Sequence, residues 1–266
     1  MTLVMLNLIY SGNQMNEKAQ SSNSNRAAAT DRVDKRWHGR PTVELYIVRI
    51  SPPCRAVWIY LLQHGIPHTL IDVDISKGET TLPEIVKKQP HHEVPILVDS
   101  EIVVFDGPAI LHYLWSEYTH SSGCGMCLTV RVLSDSIISW ANSELHRAIG
   151  FFYVYPQFLE KYSMPSQECN EIFIEKGLQF VTRQLEILEN KYLSKNKYLT
   201  GNRHTIADLY VATILVQLEW PGFKFKLWPK VDNWLSRVKN VEFWEEVHVS
   251  HQEFVRELER NRYQFD

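Results

Sequence analysis

Val43-Glu44-Leu45-Tyr46-Ile47-Val48-Arg49-Ile50-Ser51-Pro52-Pro53-Cys54 runs from a β-branched, aromatic-rich segment straight into a proline-opened one. The first half reads as a strand. Pro53 suits the first turn of a helix, where a missing N–H removes no hydrogen bond. Ala56, Val57, Ile59, Tyr60, Leu61 and Leu62 then continue as a largely apolar helix that ends at His64-Gly65, glycine being the usual signal past a last turn. Further on, Val94-Pro95 stands immediately before a second strand-like run, Ile96-Leu97-Val98-Asp99. These two corners fix how the surrounding elements are read.

Working outward, Thr69 to Ile75 reads as a strand buried more fully at its start, and Leu82 to Gln89 as a short helix. Ile96 to Val98 and Ile102 to Phe105 are two strands joined tightly through Asp99-Ser100-Glu101. Pro108 opens a helix through Ile110, Leu111, Leu114 and Tyr118. The order β-α-β-α-β-β-α over residues 41–119 predicts a small mixed sheet with helices on its faces. Its corners look thioredoxin-like, with serine at Ser51 where a redox C-x-x-C carries its first cysteine. That exchange removes dithiol chemistry and leaves a hydroxyl at a helix N-terminus.

Residues 1–40 carry an Asn-, Ser-, Gln- and charge-rich stretch without periodicity and are expected to be a disordered leader. A Gly/Ser linker follows Tyr118. Residues 127–260 have apolar residues at helical spacing throughout: Leu128 to Ile149, then Ile172, Leu178, Val181, Leu185, Leu188 and Tyr192, then Leu209 to Leu218, Val231 to Lys239, and Phe243 to Arg260. Thr205-Ile206-Ala207-Asp208 is a capping-box-like start, which assigns Thr205 and Asp208 to folding. The fold class is therefore α/β plus all-α: a thioredoxin-like N-terminal domain followed by an all-helical one.

The totals narrow the function. The 266 residues carry a net charge of −3, with 44% hydrophobic and 22% charged residues, an ordinary composition without the basic face of a nucleic-acid binder. No apolar run reaches the length of a membrane span, and the brief apolar start lacks a basic flank and a cleavage site, so a cytosolic protein is expected. Four cysteines are too few for a disulfide scaffold, and Cys124-Gly125-Met126-Cys127 has no second ligand pair that would complete a zinc site. No metal and no cofactor are expected.

A sheet domain followed by a helical one, with Ser51-Pro52-Pro53-Cys54, Val94-Pro95 and the Thr205 box in that order, resembles the cytosolic glutathione transferases from about Thr42 to Glu259. Ile50 to Val57, Asp74-Ile75-Ser76-Lys77-Gly78 and Lys197-Tyr198-Leu199-Thr200-Gly201 are most similar to the theta class. The resemblance implies that Ser51 is catalytic, its hydroxyl favouring the thiolate of bound glutathione, the form that is nucleophilic. Read without the resemblance, Ser51 is first a helix N-cap, for which serine is favoured. Arg55 adds positive potential or is a solvated helix-face residue. Cys54 is a candidate nucleophile or a small buried apolar group.

By the same resemblance Val94-Pro95 is a cis peptide whose Val94 backbone pairs with the cysteinyl unit of glutathione. Asp106 and Gly107 hold the γ-glutamyl end, the acid taking the amino group and the backbone N–H the carboxylate. Relatives carry Glu or Gln and then Ser or Thr at these two places, so this chain has a shorter acid and no hydroxyl. Glu93 stands where theta-class relatives have lysine. Lys77 and His92 are candidates for the glycine carboxylate. Asn142, His146, Arg147, Tyr153 and Trp244 are candidates for the pocket of a second, electrophilic substrate. The implied function is conjugation of glutathione, as co-substrate, to a small electrophile by a homodimer. Two alternatives remain: a related binding protein with little catalysis, and a Cys54-dependent thiol transferase.

Overall fold

The computed structural model describes residues 40–119 and 128–262, with side chains to Arg260. All but the last residue of the expected leader, most of the linker, and Cys124 and Cys127 lie outside the described residues.

β1 (Val43–Ile47) buries Val43, Leu45 and Ile47 and leaves Glu44 and Tyr46 half-buried, the alternation that a strand with one fully covered face requires. α1 (Pro52–Gln63) is buried continuously from Pro52 to Leu61, as expected of a helix that is apolar all round. Gly65 follows it at φ 58. β1 lies between a parallel neighbour, β2 (His68–Asp72), and an antiparallel one, β3 (Ile96–Asp99). β3 turns through Ser100, at φ 57, into antiparallel β4 (Ile102–Phe105), giving the sheet order β2-β1-β3-β4. α2 (Pro83–Val86) is a single short turn, and α3 (Gly107–Leu114) packs against α1 and widens into a π-type turn at Trp115–Thr119. The order of strands and helices is the expected one.

One expectation for this unit is corrected. β2 is not buried at its start: it lies at the sheet edge, half-exposed along its length, and burial begins only past it at Val73 and Asp74. Its apolar content does not override an edge position.

α4 (Leu128–Trp140) passes through two π-type stretches, Ala141–Leu145 and Arg147–Val154, into α5 (Tyr155–Phe158). α6 (Gln167–Ile187) is capped by the Ser166 hydroxyl, which accepts from Cys169 N–H at 3.2 Å. α7 (Ile206–Leu215) is buried on every side but its first residue. At its start Asp208 Oδ2 accepts from Thr205 N–H (2.8 Å), while Oδ1 accepts from Leu199 N–H (2.9 Å) and Trp234 Nε1 (2.8 Å). Thr205 and Asp208 therefore do the folding work assigned to them. α8 (Pro229–Lys239) and α9 (Trp244–Arg262) follow. The described residues form two compact units, 40–119 with 245–262 and 128–244. Nearly all of α9 thus groups with the sheet rather than with the helices beyond 127. Its stripe Val247, His251, Phe254 and Leu258 is buried. Among the described residues no helix is long and apolar enough to cross a membrane, and no group of three metal-binding side chains occurs.

Candidate active site

The sheet register brings the chemistry to one rim. Tyr46 is paired with Ile96 and Ile96 with Phe105, while Ile47 is paired with Asp72. The C-terminal ends of β1, β2 and β4 and the N-terminal end of β3 therefore lie side by side, on strands ~4.8 Å apart. Ser51 leaves from β1, Lys77 follows β2, Val94-Pro95 enters β3, and Asp106-Gly107 leaves β4. Residues far apart in sequence meet because parallel and antiparallel pairings point these ends the same way.

Ser51 is half-buried and occupies the N-cap position of α1 with φ −74 and ψ 127, yet its side chain makes no capping hydrogen bond. Pro52 and Pro53 fill the next two positions and have no N–H, so the first donor α1 offers is that of Cys54. The corner is closed by backbone instead: Ser51 N–H donates to Val48 O (2.9 Å) and Arg55 N–H to Ser51 O (3.1 Å). Cys54 is fully buried, and burial pushes its thiol up to about 11 against the opposing pull of the Ser51 side chain, the Val48 backbone and the Arg55 charge. It is a protonated core thiol at neutral pH. Arg55 is also fully buried, which removes the solvated alternative; its charge sits inside the first turn of α1.

The Val94-Pro95 peptide is cis, as the resemblance implied, and Pro95 is buried. Val94 is half-buried, and its N–H and C=O hydrogen-bond no other described residue. The segment before it is pinned by Gln89, 3% exposed, whose Oε1 accepts from His91 N–H. His92, at φ 60, brings its Nδ1 within 3.2 Å of Thr80 O and so ties this loop to the turns after β2. Glu93 is exposed.

Asp106 stands at the N-cap of α3 with φ 71 and ψ 128, a conformation L-residues seldom adopt, and its carboxylate makes no geometric cap. Burial of part of the group raises its pKa. The Glu93 charge raises it further, and the Gly107 N–H opposes both. Gly107 is buried and presents that N–H at a helix N-terminus, a favourable place for a carboxylate. Lys77 sits 3.2 Å from Asp74 Oδ2. Asp74, passed over in the sequence, organises this turn. Its Oδ1 accepts from Ser76 N–H (2.9 Å) and Lys77 N–H (3.3 Å); burial raises its pKa, but the Ser76 and Lys77 side chains, with these backbone bonds, outweigh it and lower the pKa. The Asp-x-Ser-Lys-Gly spacing, with Gly78 at φ 72, was the signal for it.

In the helical unit the remaining candidates are engaged. Asn142 Oδ1 accepts from Tyr210 OH (2.7 Å). His146 Nε2 lies 3.2 Å from Tyr155 OH, and burial lowers its pKa to about 4. At neutral pH it is therefore neutral and shares a hydrogen bond with the tyrosine hydroxyl. Gln217 Nε2 donates to the same oxygen. Arg147 is exposed and rests over the Phe152 ring at 5.6 Å, Tyr153 packs edge-on to Phe223 at 6.4 Å, and Trp244 is buried at 3% exposure.

Two family models match the chain: "Glutathione S-transferase, N-terminal domain" over residues 45–122 and "Glutathione S-transferase, C-terminal domain" over residues 146–242. Glutathione S-transferase theta-3 of Mus musculus is 30% identical over 203 residues, covering 74% of this chain and 82% of the relative. Glutathione S-transferase theta-1 of Bos taurus is 30% identical over 205 residues, with the same coverage. The solved structure of human glutathione-S-transferase T1-1 in its apo form superposes with a TM-score of 0.67 at 28% identity, covering 77% of this chain and 87% of that one. Human glutathione transferase theta-2, in complex with glutathione and an unknown ligand, gives a TM-score of 0.70 at 25% identity, covering 84% and 91%.

Proposed function

The chain belongs to the glutathione S-transferase family, and from that premise we propose that it conjugates glutathione to small electrophiles with Ser51 assisting the thiolate. The observation that carries this reading is the Ser51 corner: Pro53 removes one of the two N–H groups that a capping hydroxyl usually bonds, and the Ser51 side chain makes no capping bond to the other, so the hydroxyl stands at the positive end of α1 with the Cys54 thiol as its neighbour. A glutathione thiolate there accepts a hydrogen bond from the Ser51 hydroxyl, which keeps its proton, and this favours thiolate over thiol. Val94 supplies an unpaired backbone N–H and C=O for the cysteinyl unit. Asp106 takes the ligand's amino group, the Gly107 N–H its carboxylate, and Lys77 and His92 border the glycine end, with Glu93 beside them. Asn142, His146, Arg147, Tyr153 and Trp244 remain the proposed surroundings of the electrophile. A homodimer and a cytosolic location complete the proposal.

Calorimetry with glutathione and conjugation rates for wild type and Ser51→Ala test it. Binding at about 1 mM or tighter is expected, with kcat/KM falling about 10²- to 10³-fold in the variant, the usual loss of one oriented donor. Absence of binding at several times that concentration would overturn it.

Gly107 favours one second reading, a binding protein with little catalysis. The missing hydroxyl contact to a carboxylate is worth roughly 1.5–3 kcal/mol, or about ten- to a hundredfold in affinity. A Cys54-dependent thiol transferase is disfavoured by the raised thiol; activity that survives Ser51→Ala and dies in Cys54→Ala would restore it.

A further inference from the structure

The rim of the sheet orders the proposed co-substrate from end to end. Across the order β2-β1-β3-β4, Asp106-Gly107 leaves the β4 edge, Val94-Pro95 enters β3, Ser51 leaves β1, and the turns holding Lys77 and Thr80 follow the β2 edge. A thiol peptide held at its cysteinyl unit by Val94, with its amino end at Asp106, therefore sends its far end toward the β2 side. That placement rests on the function proposed above.

The β2 side is acidic. Of residues 74–81 only Lys77 is cationic, and Asp74 Oδ2 stands 3.2 Å from its Nζ. Glu79 Oε2 accepts from Asp74 N–H at 2.7 Å, which brings a second carboxylate to the same turn. Glu93 adds a third. His92, the residue before it, has its Nδ1 3.2 Å from Thr80 O, so the loop carrying Glu93 is tied to these turns. Glu93 is exposed and makes no ion pair among the described residues. The Thr81 hydroxyl is turned back to Gly78 O at 2.7 Å. One lysine thus stands among three carboxylates where the far end of the co-substrate arrives.

We propose that Glu93 sets the choice of co-substrate at this rim, favouring γ-glutamyl-cysteinyl thiols whose far carboxyl is masked as an amide or ester over glutathione itself, which carries it ionised. The Glu93 carboxylate repels a second carboxylate, accepts a hydrogen bond from an amide N–H, and is indifferent to an ester. Affinity therefore falls in the order amide, ester, free acid. Asp106 and the Gly107 N–H hold the same amino end in all three, and the sulfur at Ser51 is common to them. The discrimination lies at the far end alone.

Calorimetry on the full chain with glutathione, its glycine amide and its glycine ethyl ester tests the assignment. The amide is expected to bind at least about fivefold tighter than glutathione, the size of one charge contact screened by water. The ester is expected between them, and the gap between amide and acid narrows as salt rises. In turnover the gain is expected in KM with kcat unchanged, because the far end does not touch the reacting sulfur. Glu93→Gln is expected to remove the gap and Glu93→Lys to reverse the order, both with an unchanged melting temperature, since the side chain is exposed. Glutathione binding as tightly as the amide in wild type, or a preference that survives Glu93→Gln, would overturn the assignment and leave the transferase reading standing. Binding of none of these ligands at several times a millimolar concentration would overturn both.

Discussion

Asp106 shows at the scale of one residue how the backbone serves the proposed site. At φ 71 it holds a conformation that costs a non-glycine residue about 1–3 kcal/mol. Its carboxylate does not recover that cost as a helix cap. The carboxylate instead faces the Gly107 N–H, which pulls its pKa down against burial. Burial raises the Asp106 pKa, and the neighbouring Glu93 charge raises it further. If ionised Asp106 holds the ligand's amine, binding is present above its pKa and lost as pH falls through it. A raised pKa therefore moves the acid limb of binding to higher pH. Glu93→Gln removes one raising contribution, so the limb is expected to move to lower pH and the affinity for glutathione at mildly acidic pH to improve. Glutathione KM measured against pH in wild type and variant checks this; superimposable acid limbs would remove Glu93 from the account. The residue pattern alone showed a shortened acid and a misplaced charge. That the two charges influence each other follows from the β3–β4 register, which no local pattern records.

At the scale of elements, α6 and the π-type stretch Arg147–Val154 meet through Gly177. A Cβ there would lie 2.0 Å from Phe152 O, a backbone atom that cannot step aside as a flexible side chain would. Gly177→Ala is expected to destabilise the fold by about 2–4 kcal/mol, the range of severe overpacking, read as a lower urea midpoint with the m-value retained. Gly150→Ala meets only the Tyr155 ring, at 2.8 Å, and serves as a milder comparison. Helices, strands and caps of this chain were legible where their causes are local: the prolines at α1, the Thr205 box, the Gly65 stop. The π-type widening of the helix from 128 to 158 was not. Its apolar residues keep a helical spacing whether each turn holds four residues or five. With it went the His146–Tyr155–Gln217 arrangement, because the widened turns set which face His146 shares with Tyr155. For Arg55 the sequence left two alternatives, added positive potential or a solvated position, and only the covered circumference of α1 removes the second.

Across the whole molecule, the sheet order decides which strands need a further partner. β2 and β4 are the two edges, and β4 exposes Ile102 at 50%, Val103 at 41% and Phe105 at 37%. α4 exposes Leu128 at 65%, Val132 at 52% and Leu133 at 37%. Apolar edges of this kind are normally blunted or covered, and clustered exposed apolar residues mark association surfaces. The order of elements is plain in the sequence, but it does not say which strands are edges; that follows from the pairing β2-β1-β3-β4. The proposed homodimer, which pairs the sheet domain of one copy with the helical domain of the other, covers both patches. Sedimentation of the full chain is therefore expected to give twice the chain mass at micromolar concentration. Ile102→Lys with Val132→Lys places an unpaired charge in each half of the contact, and burying such charges is far less favourable than leaving them in water. The double variant is expected to sediment as a folded monomer with an unchanged far-ultraviolet spectrum. A wild type that is monomeric under the same conditions would exclude the homodimer, and a dimer that survives both lysines would place the contact elsewhere.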